Sequence, residues 1–116
     1  MAIKKSARGL VLAYLNALND ENFPLAKQYV SEDFSFDGVL GSRKGSDSYM
    51  SDMEKMRLKY DVKKAFADGN DVCVWYDVTM SGTTVPTAGW YHVKSGRITT
   101  LKVVFDPRPV LAGKAA

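Results

Sequence analysis

From Asp61 to Asp106 the chain changes to an apolar and polar alternation of period two, broken at "DGN", "SGTT" and "KSG". That stretch constrains the fold more than any other. The segments between the breaks read as strands: "VKKAFAD", "DVCVWYDVTM", "VPTAGWYHV" and "RITTLKVVFD". Short Gly-containing connections join consecutive strands as hairpins, so the four form an antiparallel meander. Pro86 removes a backbone donor and marks an edge or bulge at the start of the third strand. The two prolines of "PRPV" then end regular structure.

Such a meander has one apolar face, and the first half of the chain supplies its cover. Residues 4–19 carry Val11, Tyr14, Leu15 and Leu18 at helical spacing, a single buried stripe. Pro24 suits the first turn of a short second helix that runs through Tyr29. In "DFSFD", Phe34 and Phe36 share one face of a short strand. Gly45 and Ser46 form the entrance to a third helix, favoured electrostatically by Asp47 and Asp52 and predicted to run to about Lys59. Its Tyr49, Met53, Met56 and Tyr60 fall on one face. The plan is α+β: a curved antiparallel sheet packed against three N-terminal helices. At 116 residues the chain makes one domain, with residues 1–5 and 108–116 expected as flexible tails.

Turn lengths predict which side chains share a face. A type I turn at Lys94–Ser95 with Gly96 as a left-handed bulge pairs Val93 with Arg97. That register gathers Gly89, Tyr91, Val93, Thr99, Leu101, Val103 and Phe105 on the inner side. An even-length loop at residues 81–84 adds Val72, Val74, Tyr76, Val78 and Met80. The outer side then carries Cys73, Trp75, Asp77, Trp90, His92, Lys102, Val104 and Asp106. Two tryptophans are a large apolar area to leave in water, so this face is expected to pair two copies of the chain.

The rest of the composition narrows the function. A formal charge of +3 with bases and acids interleaved lacks the dense basic patch of a nucleic-acid binder. One cysteine excludes an intrachain disulfide, and in its strand Cys73 reads as a small buried apolar residue. With one histidine and one cysteine, no cluster has metal-ligand spacing, and no cofactor is expected. Asp77 and His92 on adjacent strands are an acid–base candidate, read as an interface or solvent pair. Asp106 before Pro107 reads as a turn residue. "GVLGSRKGS" lacks the glycine-lysine-serine order of a phosphate loop. Asn16 interrupts the N-terminal apolar stretch, no apolar run reaches membrane-spanning length, and a cytoplasmic protein is expected.

Four stretches carry a family resemblance: "LAYLNALNDENFPLAKQYVSEDFSFDGVLGS", "KGSDSYMSDM", "SGRITTLKVVFD" and "DPRP". Together they resemble the nuclear transport factor 2-like superfamily, and within it the polyketide-cyclase (SnoaL)-like domains. The resemblance implies a cone of three helices against a strongly curved sheet, a hydrophobic cavity, and a sheet-to-sheet homodimer. Relatives of this kind include ketosteroid isomerases, epoxide hydrolases, cyclases and noncatalytic binding modules. Carried over residue by residue, the isomerases' oxyanion tyrosine falls on Tyr14. Their base falls on Gly38, one position past Asp37, and their protonated acid falls on Gly89. The inward acid of the epoxide hydrolases matches Val103. Those two classical activities are therefore not expected.

The expectation for function is a domain that binds a compact apolar molecule bearing a carbonyl or hydroxyl. Tyr14 is its predicted polar contact, with walls from Phe34, Phe36, Tyr49, Met53, Met56, Val74, Tyr76, Tyr91, Leu101, Val103 and Phe105. Trp75, Asp77, Trp90, His92, Lys102 and Val104 form the predicted interface. Two alternatives stand beside it. One is an isomerase or cyclase of carbonyl compounds with Asp37 as base, swung inward by Gly38 and Gly41, and Tyr14 as oxyanion donor. The other is a noncatalytic dimerisation module.

Overall fold

Ser6 accepts a hydrogen bond from Gly9 N at 3.0 Å and so caps the first helix, α1 (Ala7–Asn19). The computed structural model describes residues 6–115, and side chains through Leu111, so the expected start at residue 4 and the tail 1–5 lie outside it. The stripe Val11, Tyr14, Leu15 and Leu18 is buried as its spacing requires. Asn22 caps α2 (Phe23–Gln28), with Pro24 in the first turn. Then come β1 (Val30–Gly38), β2 (Gly41–Lys44) and α3 (Ser46–Met56). The meander follows: β3 (Lys59–Asp68), β4 (Asp71–Met80), β5 (Thr83–Lys94) and β6 (Arg97–Phe105). A short α4 (Arg108–Ala115) closes the chain.

These strands make one curved six-stranded sheet in the order β2-β1-β6-β5-β4-β3. Every pairing is antiparallel except β1 with β6, which is parallel because the chain has passed through α3 and the meander between them. The core lies between the helices and the inner face, with Leu15, Phe34, Val72, Val74, Tyr76, Tyr91 and Ile98 among its most buried members. Pro86 lies where β5 has a neighbour on one side only, since β6 stops at Phe105 opposite Thr87. That position tolerates the missing donor.

Four expectations change. "GSRK" is a strand, β2, paired antiparallel with β1 across the tip Val39–Leu40. α3 stops at Met56, because Arg57 takes a left-handed φ of 49° and turns the chain into β3. Tyr60 is thus a strand residue, though its hydroxyl still reaches Met53 Sδ at 3.7 Å. Gly45, at φ 92°, occupies the N-cap position without a side-chain bond, and Ser46 is already helical. Residues 108–116 were expected as a tail, but α4 forms there and buries Val110. Asp106 does set this turn: its carboxylate accepts from Arg108 N and from the Arg108 guanidinium.

The β5–β6 turn also differs from its predicted form. Ser95 and Gly96 both have positive φ, 53° and 77°, and form a two-residue turn that pairs Lys94 with Arg97. Ile98, not Thr99, is therefore the inward residue next to the turn. A bulge at Thr99 restores the side on which the later residues point, so Leu101 and Val103 face inward as expected, but Tyr91 pairs with Leu101 and Gly89 with Val103, two residues beyond the predicted partners. At the β4–β5 turn, Ser81 and Gly82 take positive φ and the even loop places Val72, Val74, Tyr76 and Val78 inside.

Candidate functional site

The curvature of the sheet opens a recess between α3, the β1–β2 hairpin and the far ends of β4, β5 and β6. Its volume is about 350 Å³. Ligand pockets span roughly 300–1,000 Å³, so this one is small. Of the predicted wall residues, Phe36, Tyr49, Met53, Met56, Tyr76, Leu101, Val103 and Phe105 line it. Tyr14, Phe34, Val74 and Tyr91 do not; they are buried in the layer behind. Met56 is 42% exposed and sits at the rim rather than in the core. Val39 and Leu40, exposed at the hairpin tip, complete the mouth.

Sequence reasoning missed as lining residues Val39, Leu40, Arg43, Asp52, Leu58 and Thr87, and also Tyr60, Val78, Met80 and Val85. The signal was "GVLG": two apolar residues between glycines are a hairpin tip. Reading it so puts Arg43 opposite Phe36, on the inward side of β2. Asp52 lies between Tyr49 and Met53 on the side of α3 that faces the hairpin. Arg43 Nε donates to Asp52 Oδ2 at 2.6 Å and Nη2 to Oδ1 at 3.2 Å, a two-pronged pair across the mouth. The hydrogen bonds from Arg43 hold the Asp52 carboxyl below the ordinary carboxylate value.

Five phenols come together from five elements, Tyr14 from α1, Tyr49 from α3, Tyr60 from β3, Tyr76 from β4 and Tyr91 from β5; Tyr49, Tyr60 and Tyr76 line the recess, and Tyr14 and Tyr91 lie behind them. The Tyr76 and Tyr91 hydroxyls share a hydrogen bond of 2.7 Å. Tyr60 stacks against Tyr76 with ring centroids 5.4 Å apart, and Tyr49 lies 5.1 Å from Phe36. The Tyr14 hydroxyl is buried and has no hydrogen-bond partner among the described residues. Burial, reinforced by neighbouring phenols, pushes Tyr14, Tyr49, Tyr60 and Tyr91 well above the ordinary phenol value. Burial raises Tyr76 as well. All five are neutral hydroxyls at neutral pH, able to donate to an oxygen.

Gly38 and Gly89, onto which the resemblance carries the isomerases' two acids, share one packing feature. A Cβ on Gly38 would meet the tip of the Phe36 ring at 2.6 and 2.9 Å. A Cβ on Gly89 would run into Tyr76 Oη and lie 3.1 Å from the Tyr91 ring. In each place an aromatic side chain occupies the room a carboxylic acid would need.

Asp37 faces away from the recess. It is exposed on the outer side of β1, opposite Ser42 of β2 and Lys102 of β6, while its neighbours Phe36 and Gly38 line the recess. Strand alternation outweighs the freedom that Gly38 and Gly41 offer. The inward swing that the alternative enzyme reading requires is not seen. Among the described lining residues the only carboxylate is Asp52.

On the outer face, Trp75 and Trp90 are each 48% exposed, with Phe66 and Val104 more so. Cys73 stands in register with Phe66 and Trp90 and is exposed, not buried as expected, because alternation puts it among the tryptophans. Asp77 and His92 do not pair. His92 Nδ1 lies 2.8 Å from Asp71 Oδ1, which also accepts from Trp90 Nε1 at 2.9 Å, and Asp77 is 3.9 Å from Lys63. Lys102 Nζ sits 5.5 Å over the Trp90 ring. Among the described residues no helix is long and apolar enough to cross a membrane.

A helix-covered curved sheet with an apolar recess and phenols behind it defines a class of small cone-shaped domains. The sequence matches the SnoaL-like domain family over residues 11–101, and the chain belongs to that family. No match was found among curated proteins. Among solved structures it is similar to an NTF2-like protein of unknown function from Cytophaga hutchinsonii. Identity is 51%, the TM-score is 0.93, and the match covers 96% of this chain and 99% of that one. It also resembles an LEH-like epoxide hydrolase from M. tuberculosis at 25% identity and TM-score 0.76, covering 92% and 87%. A de novo designed protein with a curved β-sheet matches at 19% identity and TM-score 0.77, covering 94% and 92%. The designed relative shows the fold alone.

Proposed function

We propose that this SnoaL-like domain binds a compact, mostly apolar small molecule carrying a hydrogen-bond-accepting oxygen. One observation carries the reading: the recess is walled by apolar side chains, its lining phenols are neutral, and the sole carboxylate among its described lining residues is tied to Arg43. An acid–base enzyme needs a free base within reach of the substrate. Asp37, on the opposite side of the sheet, does not supply one, which favours binding over isomerase or cyclase chemistry.

A panel of compact ketones, enones and lactones tests this by thermal unfolding. A ligand at a hundred times its Kd stabilises the folded state by about 2.7 kcal/mol, a clear rise in Tm. Met53→Trp, which fills the recess, is expected to abolish the rise while leaving the domain folded. Absence of any shift across the panel with the native protein defeats the proposal.

The outer face supports a second element of the reading, a homodimer. Phe66, Trp75, Trp90 and Val104 expose a contiguous apolar area on β3 to β6 that a second copy would cover. Trp90→Asp is expected to convert a dimer to a monomer in sedimentation velocity. An unchanged sedimentation coefficient removes this face as the interface.

A further inference from the structure

We propose that the ligand is an amphiphilic acid, with its apolar body in the recess and its carboxylate on the free edge of Arg43 at the mouth. The inference rests on the binding reading above and narrows it.

Arg43 has five N–H donors in a fixed planar fork. Asp52 engages Nε and Nη2, and among the described residues nothing else pairs with the guanidinium. The Nη1 side is left with both its protons. Asp52 is in turn anchored on α3, so the fork is held in place before any ligand arrives, which lowers the entropy lost on binding. A guanidinium bridging two carboxylates is a geometry that its two edges allow.

The opposite ligand charge is poorly served. Both Asp52 oxygens already accept from Arg43, so an amine would have to break the two-pronged pair to reach a carboxylate. The rest of the rim, Val39, Leu40 and Met56, is apolar and offers a headgroup no other side-chain charge. Repulsion between Asp52 and the incoming acid is softened by water, because the Arg43 side chain is 54% exposed and Asp52 27%. Ligand and rim then match: one anion, one positioned cation with donors to spare, and an apolar body on apolar walls.

Octanoate, octanol and methyl octanoate share one tail and differ at the headgroup, and calorimetric titration of the three decides the matter. Octanoate is expected to bind about tenfold more tightly than octanol, the effect of one partly exposed charge-assisted hydrogen bond. Added salt should weaken octanoate and leave octanol unchanged. Arg43→Met should erase the preference by weakening octanoate alone. Should that variant fail to fold, Arg43→Lys keeps the charge without the fork and is expected to retain only part of the preference. Octanol binding as tightly as octanoate, or a full preference surviving either variant, overturns the acid assignment but leaves the binding proposal standing. Failure of all three compounds to bind overturns both.

Discussion

Alkali unfolds this protein cooperatively, and the five clustered phenols ionise only as it does so; that is the expected result of following phenolate absorbance and circular dichroism together. The folded state holds Tyr14, Tyr49, Tyr60, Tyr76 and Tyr91 above their ordinary value of 10.0. The unfolded chain releases those protons as pH passes 10, and the folded chain does not. Their contribution is therefore intact below pH 10 and declines as pH rises from there towards the folded-state values. Each retained proton costs about 1.4 kcal/mol for every pH unit above 10. Five together remove several kcal/mol within one unit, comparable with a total stability of about 5–15 kcal/mol. Absorbance that rises smoothly around pH 10 while circular dichroism stays constant would mean the phenols are open to water. The site described here would then be wrong.

Gly89→Ala should lower stability by about 1–3 kcal/mol, a large loss for one methyl group. The added Cβ collides with the Tyr76 hydroxyl, which is buried and bonded to Tyr91 at 2.7 Å, so neither ring has room to retreat. Urea unfolding reads this as a lower midpoint at unchanged slope. Tyr76→Phe in the same chain removes the colliding oxygen and is expected to restore part of the loss. A Gly89→Ala midpoint equal to that of the parent, with no help from Tyr76→Phe, contradicts the packing. Gly38→Ala should cost less, since the Phe36 ring it meets is only half-buried and can swing towards the mouth.

How much of this was legible in advance depended on the kind of signal each element carries. The meander announces itself because "DVCVWYDVTM" alternates over ten residues and its turns contain glycine. The wall residues Tyr76, Leu101, Val103 and Phe105 followed from that phase, and Tyr49, Met53 and Met56 from the helical spacing of α3. β2 did not, because "GSRK" has no apolar alternation; its strand character comes entirely from pairing with β1. The end of α3 was hidden for a similar reason: Arg57 adopts a left-handed conformation usually marked by glycine or asparagine. The Arg43–Asp52 pair, nine residues apart, becomes visible only once the hairpin exists. Asp37 was the reverse case, an acid in a suggestive place whose direction a single residue of phase decides. The turn at Ser95 and the bulge at Thr99 each moved the register by one residue, so from Leu101 onward the inward side chains kept their side while their partners moved by two.

The occupied spaces beside Gly38 and Gly89 also bear on how such a domain gains or loses chemistry over time. An acid introduced alone at either position meets an aromatic ring, so the substitution is penalised before it can contribute anything. A smaller side chain at Phe36 or Tyr76 must come first, and by itself it only opens a void. The path to a carboxylate is therefore a pair of changes in a fixed order, each unfavourable alone. With both spaces filled, the gain of an inward acid at Gly38 or Gly89 is a matter of epistasis rather than of a single substitution.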